Sequence, residues 1–204
     1  MRKFIFTLFC AILPTFVIAQ SNSEIIQQID RACSEMRSLE CDFTQTKHIK
    51  LLNDEMVSYG KMYFSQPNML RWEYTSPYTY TFILNSNQVL LKNAQREDIL
   101  DINKNKMFKE IARLMMSSVV GNCLTDDSTF DTTIATTPTE WIATLVPIKR
   151  DLKQMWSHMV IHFDRTMNRV VKVEMYEPSG DFTIIELHNI RHNVAIDSSV
   201  FSIN

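Results

Sequence analysis

Residues 56–91 read MVSYGKMYFSQPNMLRWEYTSPYTYTFILNSNQVLL, and the side chains along this stretch repeat with a period of two. One set runs Met56, Ser58, Gly60, Met62 and Phe64; the next runs Leu70, Trp72 and Tyr74; then come Tyr78, Tyr80, Phe82 and Leu84, and finally Val89 and Leu91. Successive side chains of a strand point to opposite faces, so each set marks one face of a strand. Asn53-Asp54 and Asn85-Ser86-Asn87 are short polar turns of the kind that return one strand beside the last, which predicts an antiparallel meander from residue 41 to residue 102. The chain has only three Gly, so Asn and Asp must supply most turn positions that need positive φ.

On the N-terminal side the period changes. Ser21 and Glu24 form a capping-box pattern, and Ile25, Ile29, Cys33 and Met36, with Ile26, Ala32 and Leu39 beside them, recur at helical spacing, so a helix is expected over residues 21–39. On the C-terminal side, residues 106–120 return to helical spacing through Met107, Phe108, Ile111, Leu114, Met115 and Val119, with Gly121 as C-cap. Strands resume over 129–135, 140–147, 158–164, 169–177 and 182–190, with a turn at Pro178-Ser179-Gly180-Asp181. The expected fold is α+β and mainly β: an incomplete, open antiparallel β-barrel of about eleven strands. A sheet of that length curls, and helices lie as a lid over its concave face.

Arg2 and Lys3 precede an apolar run from Phe4 to Ile18, and Val17-Ile18-Ala19 leads to Gln20; residues 1–19 are expected to be a secretory signal peptide. The run is short and broken by Pro14, which argues against a membrane span. Cys10 follows Leu8-Phe9, too bulky for a lipoprotein-processing site. The mature chain is then soluble and periplasmic, with residues 20–204 forming one domain. Removing Arg2 and Lys3 leaves 19 basic against 23 acidic residues, a net charge of −4, which disfavours a nucleic-acid partner. Cys33, Cys41 and Cys123 remain, an odd number; Cys33 falls on the apolar helix face and reads as a small buried hydrophobe, and a Cys33–Cys41 bridge stays open.

No catalytic motif is visible: there is no Gly-x-Ser-x-Gly, His-Glu-x-x-His, phosphate loop or dinucleotide fingerprint. His158 with His162, and His188 with His192, have a spacing that would chelate a metal on a helix, yet both pairs fall on strands, where four residues span about 13 Å. Neither a catalytic residue, a metal nor a cofactor is expected. Arg71 and Glu73 flank Trp72 on the opposite strand face and read as a solvated ion pair; Asp126 and Asp127 read as loop residues. The abundant chemistry is flexible and aromatic apolar surface, with 12 Met, 12 Phe, 6 Tyr and 3 Trp. A curved sheet roofed by apolar-faced helices could enclose an interior lined by both.

Phe43-Thr44-Gln45, then Gly60, then Gln66-Pro67-Asn68-Met69-Leu70-Arg71-Trp72-Glu73-Tyr74, then Pro77, stand in the order of the core signature of the LolA family of lipoprotein carriers, which this chain resembles. The similarity extends to Phe108-Ile111-Ala112-Arg113, Leu145-Val146-Pro147 and the closing segment from Asp197 to Phe201. The resemblance implies an incomplete barrel with a helical lid, a non-enzymatic monomer that takes the acyl chains of lipoproteins from an inner-membrane ABC transporter to an outer-membrane acceptor. By matching position it makes Ile29, Leu70, Trp72, Tyr74, Phe108 and Ile111 the residues lining the acyl cavity. Relatives commonly carry Arg before the Pro of the motif, where it holds the lid closed; this chain has Gln66, which donates a hydrogen bond without charge, so lid control is expected to differ. A paralogue carrying another amphiphile, a glycolipid or an acylated pigment, or a module that senses lipoproteins without moving them, are the alternatives.

Overall fold

The computed structural model describes residues 21–104, 124 and 128–203. Helix α1 spans Asn22–Ser34 and opens with the expected capping box: Glu24 N–H donates to Ser21 Oγ (3.4 Å) and Ser21 N–H to Glu24 Oε2 (3.0 Å). It stops five residues earlier than the helical spacing suggests. Arg37 N–H donates to Asn193 Oδ1 (2.7 Å), Ser38 Oγ to the Val194 carbonyl (2.6 Å), and the Arg37 carbonyl accepts from Gln66 N–H (2.9 Å), so long-range partners take this backbone out of the helix. Met36 and Leu39 stay buried because the inner side of the loop and strand replaces the inner side of the helix.

From there the chain forms β1 (Ser38–Ile49), β2 (Asp54–Ser65), β3 (Met69–Ser76), β4 (Tyr80–Asn85), β5 (Gln88–Asn93) and β6 (Glu97–Asp101), then a 3₁₀ turn at Ile102–Lys104. After residue 128 come β7 (Phe130–Thr136), β8 (Glu140–Pro147), a short helix α2 (Arg150–Met155), β9 (His158–Asp164), β10 (Arg169–Tyr176), β11 (Phe182–His192) and a 3₁₀ turn at Ser198–Phe201. Tyr78 belongs to the bend before β4 rather than to the strand. Among the described residues, the non-glycine residues with positive φ are four Asn (Asn53, Asn168, Asn189, Asn193) and Ser86, while Gly180 supplies the β10–β11 turn at φ 89°. Asparagine therefore takes the turn positions expected of it, and aspartate takes none among the described residues.

The eleven strands of the described residues form one antiparallel sheet in the order β6-β5-β4-β3-β2-β1-β11-β10-β9-β8-β7. The chain walks outward from β1 to one edge, crosses between residues 101 and 130 to the other edge, and walks back to β11 beside β1. Edges β6 and β7 do not pair, so the sheet is open. The crossing departs from Ile102 and arrives through Leu124, both buried.

One face of the sheet is apolar from β5 across to β7. Around β7–β10, Trp141, Ala143, Leu145, Ile161 and Phe163 pack with Ile25, Ile29 and Cys33 of α1. Around β1–β5, Leu39, Phe43, Met62, Phe64, Leu70 and Trp72 form a second group. Met175 and Leu187 pack against both, which joins them into one continuous surface. On the opposite face, the segment after β11 covers Ile83 and Leu90 with Phe201, held by Asn85 Nδ2 donating to the Phe201 carbonyl (3.1 Å) and Arg71 Nη1 to the Val200 carbonyl (3.3 Å). Among the described residues, no helix is long and apolar enough to cross a membrane.

Candidate functional site

The register converts alternation along each strand into rows across the sheet. Leu39, Phe64, Leu70, Leu84 and Val89 are paired neighbours on β1, β2, β3, β4 and β5, and none is more than 3 % exposed. The next row is Cys41, Met62, Trp72, Phe82 and Leu91. The third is Phe43, Gly60, Tyr74, Tyr80 and Asn93. The face thus passes from two wholly apolar rows to a hydroxyl- and amide-bearing one, toward the end where Gln45 accepts a hydrogen bond from the Tyr74 hydroxyl (2.8 Å).

Gly60 makes the centre of this face possible. It sits where the β2–β3 register shifts, and a Cβ there would run into the Glu73 carbonyl oxygen and the tip of the Phe43 ring. The Phe43 ring fills the space that glycine leaves, lying 4.5 Å from the Trp72 ring and edge-on to Tyr74 at 5.2 Å. Tyr74 also stacks on Tyr78 (5.4 Å) and approaches Tyr80 (6.2 Å). Burial, then the neighbouring Tyr78, pushes the Tyr74 phenol up to about 12; burial raises Tyr80 as well. Among the described residues, the buried Trp72 Nε1 has no acceptor in hydrogen-bonding geometry, and the indole bears on the neighbouring Tyr74 oxygen.

Leu70, Trp72 and Tyr74 therefore share one face, as their spacing implies. Ile29 faces the same continuous surface from α1, but over β7–β10 rather than over Leu70. Phe108 and Ile111, and the helix expected at 106–120, lie outside the described residues. Gln66 is exposed in the β2–β3 turn, where its backbone N–H is bonded to Arg37 and its side chain makes no hydrogen bond among the described residues. Sequence reasoning missed Phe43, Phe64, Phe82, Trp141, Ile161 and Leu187 as members of the face. Alternation hinted at Phe64 and Phe82, but which strand faces which partner is set by pairing, which spacing alone does not carry.

Polar groups elsewhere are structural. Arg71 Nε bonds Glu73 Oε2 at 2.9 Å on the outer face, as expected. His162 sits between Glu140 (2.9 Å) and Glu174 (3.1 Å), His158 stacks on Tyr176 (4.4 Å) and His48 on Phe182 (4.7 Å). No metal-binding group of three or more His, Cys, Asp or Glu occurs among the described residues. Cys33 and Cys41 are free thiols, not a bridge; burial pushes both up to about 12, and their neighbouring carboxylates, Asp30 for the first and Asp42 for the second, add to it. Where α1 ends, Cys33, Met36, Leu39, Arg169 and His192 line a pocket with room for about one water molecule, far too small for an acyl chain. Burial, with Arg169 adding repulsion, holds His192 down at about 4.

The family model described as "Outer membrane lipoprotein carrier protein LolA" matches residues 34–204. An outer-membrane lipoprotein carrier protein of Methylococcus capsulatus is 22 % identical over 165 residues, covering 81 % of this chain and 76 % of that one. Among solved structures, an uncharacterized conserved protein from Thermus thermophilus superposes with a TM-score of 0.57 at 10 % identity, covering 91 % of this chain and 95 % of that one. The Pseudomonas aeruginosa MucA/MucB complex contains a similar chain (TM-score 0.54, 10 % identity); 89 % of this chain matches 60 % of that one. These two likenesses speak for the fold alone. The family is one of carriers rather than enzymes. Since the family model covers most of the chain, and the open eleven-stranded sheet carries Phe43, Leu70, Trp72 and Tyr74 of the motif on its apolar face, the chain belongs to the LolA family of outer membrane lipoprotein carrier proteins.

Proposed function

We propose that this protein carries the acyl chains of lipoproteins on the apolar face of its open sheet, over β1–β5. The supporting observation is the set of three rows around Leu70, Trp72 and Tyr74, a contiguous apolar surface graded toward hydroxyl and amide groups at one end. An acyl chain gains about 0.8 kcal/mol per buried methylene, so such a surface holds several chains firmly, while a cover that opens lets them go without an energy source. The graded end suits the polar glycerol end of a diacyl group, and Met62 and Met175 adapt to chains of different shape. Ile29, Phe108 and Ile111 are the proposed helical contribution, and Gln66 the proposed control point of the cover. The protein works in the periplasm after loss of residues 1–19, loaded by an inner-membrane ABC transporter and unloaded at an outer-membrane acceptor. A fluorescent fatty acid should bind saturably and be displaced by a purified lipoprotein; absence of binding would overturn the reading.

A further inference from the structure

We propose that the β1–β2 hairpin is a membrane-docking tip that sets Leu51 and Leu52 into the headgroup–acyl boundary of a phospholipid bilayer. This goes beyond the carrier reading and does not depend on it. Leu51 is 92 % exposed and Leu52 66 %, side by side at the turn that joins two twelve-residue strands. The hairpin extends beyond the ladders beside it: β2 last pairs with β3 at Tyr59 and β1 with β11 at His48, so the turn at residues 50–53 lies past both ladders, with the β10–β11 turn alongside Lys50. Met56, Val57 and Tyr59 on β2 are also exposed, as is Tyr78 in the β3–β4 bend.

The tip holds this shape. Leu52 N–H donates to the Ile49 carbonyl (3.1 Å) and Asn53 N–H to the Lys50 carbonyl (3.2 Å). Asp181 in the β10–β11 turn accepts from Lys50 N–H (2.9 Å), and the Lys50 stem lies against Gly180, where a Cβ would stand 2.6 Å from Cδ. With their backbone fixed from below, the two leucines cannot fold back onto the sheet.

Shape and charge select the occupant. A tip of this size cannot supply the roughly 800 Å² per partner that a stable protein complex needs. Two leucines reaching the acyl boundary, each worth roughly a ten- to hundredfold gain in partition, give a binding that is reversible. The charged neighbours are Lys47 and Lys50 against Asp54, Glu55, Glu177 and Asp181, with Lys47 paired to Glu177 at 3.5 Å. That acidic excess is not complementary to an anionic surface; both signs together fit a zwitterionic phospholipid, with Lys50 reaching phosphate and the carboxylates the ammonium.

The test is flotation of the processed chain, recovered from a bacterial periplasm, with vesicles of phosphatidylethanolamine and phosphatidylcholine. The native protein floats, added salt does not release it, and the Leu51→Ser/Leu52→Ser double substitution lowers partition roughly a hundredfold or more. Tm and affinity for a fluorescent fatty acid stay the same in both proteins. Equal flotation of the two, no flotation of the native protein, or a native dimer that the double substitution dissolves would each overturn the proposal. Failure of the fatty acid to bind while flotation persists would overturn the carrier reading and support the tip.

Discussion

A carboxylate at position 70 would stand in the middle of a row whose other members are Leu39, Phe64, Leu84 and Val89, with no polar partner in that row. Leu70→Glu should therefore abolish binding of a fluorescent fatty acid, because the ligand would have to desolvate the charge. Since Leu70 is fully buried, the variant also loses stability, and Trp72→Ala supplies the control: truncation costs about 3–5 kcal/mol if Trp72 is core alone, whereas a ligand-lining Trp72 also loses probe affinity. Wild-type affinity in a folded Leu70→Glu protein would show that this face is not the site. Gly60 offers a second residue-scale expectation. Gly60→Ala forces the Glu73 carbonyl and the Phe43 ring apart, and should lower stability by about 1–3 kcal/mol in chemical denaturation, with partial recovery in Gly60→Ala/Phe43→Leu.

Among the elements, the β2–β3 turn and the end of α1 separate what the sequence carries from what it does not. Alternation from Met62 to Leu84 made the strand faces legible, and Ser21 with Glu24 marked the start of α1. The end of α1 was not legible, because Met36 and Leu39 keep helical spacing while Asn193, Val194 and Gln66, more than a hundred residues or a whole hairpin away, claim the backbone. Strand pairing is likewise non-local: the contact of Phe43 with Gly60 and Leu187 follows from register, and so the full face could not be read from one strand. Gln66 tests the control of the cover. It occupies an exposed turn with a free side-chain amide among the described residues, so Gln66→Arg introduces a charged donor there with little effect on folding. Slower release of bound fatty acid in stopped-flow displacement, at unchanged Tm, is the expected outcome; an unchanged release rate would remove Gln66 from the mechanism.

For the whole molecule, the buried groups set a pH window. Cys33 and Cys41 rise from 9.0 to about 12 and Tyr74 from 10.0 to about 12, so above pH 9 the unfolded chain releases protons that the folded one keeps. Stability present below that range is progressively lost as pH rises toward 12. His192 acts in the opposite sense: it falls from 6.5 to about 4, so the unfolded chain binds a proton that the folded one refuses, and stability declines as pH falls from 6.5 toward 4. Thermal melts across pH should show both shoulders, and His192→Gln should flatten the acidic one without touching the alkaline one. The cargo of the whole molecule is read most directly by native mass spectrometry of the protein recovered from a bacterial periplasm. The expected adducts have the mass and fragments of acylated lipoprotein, and they are lost in Leu70→Glu. A glycolipid or pigment adduct, or a chain that carries no acyl group at all, would contradict the assignment.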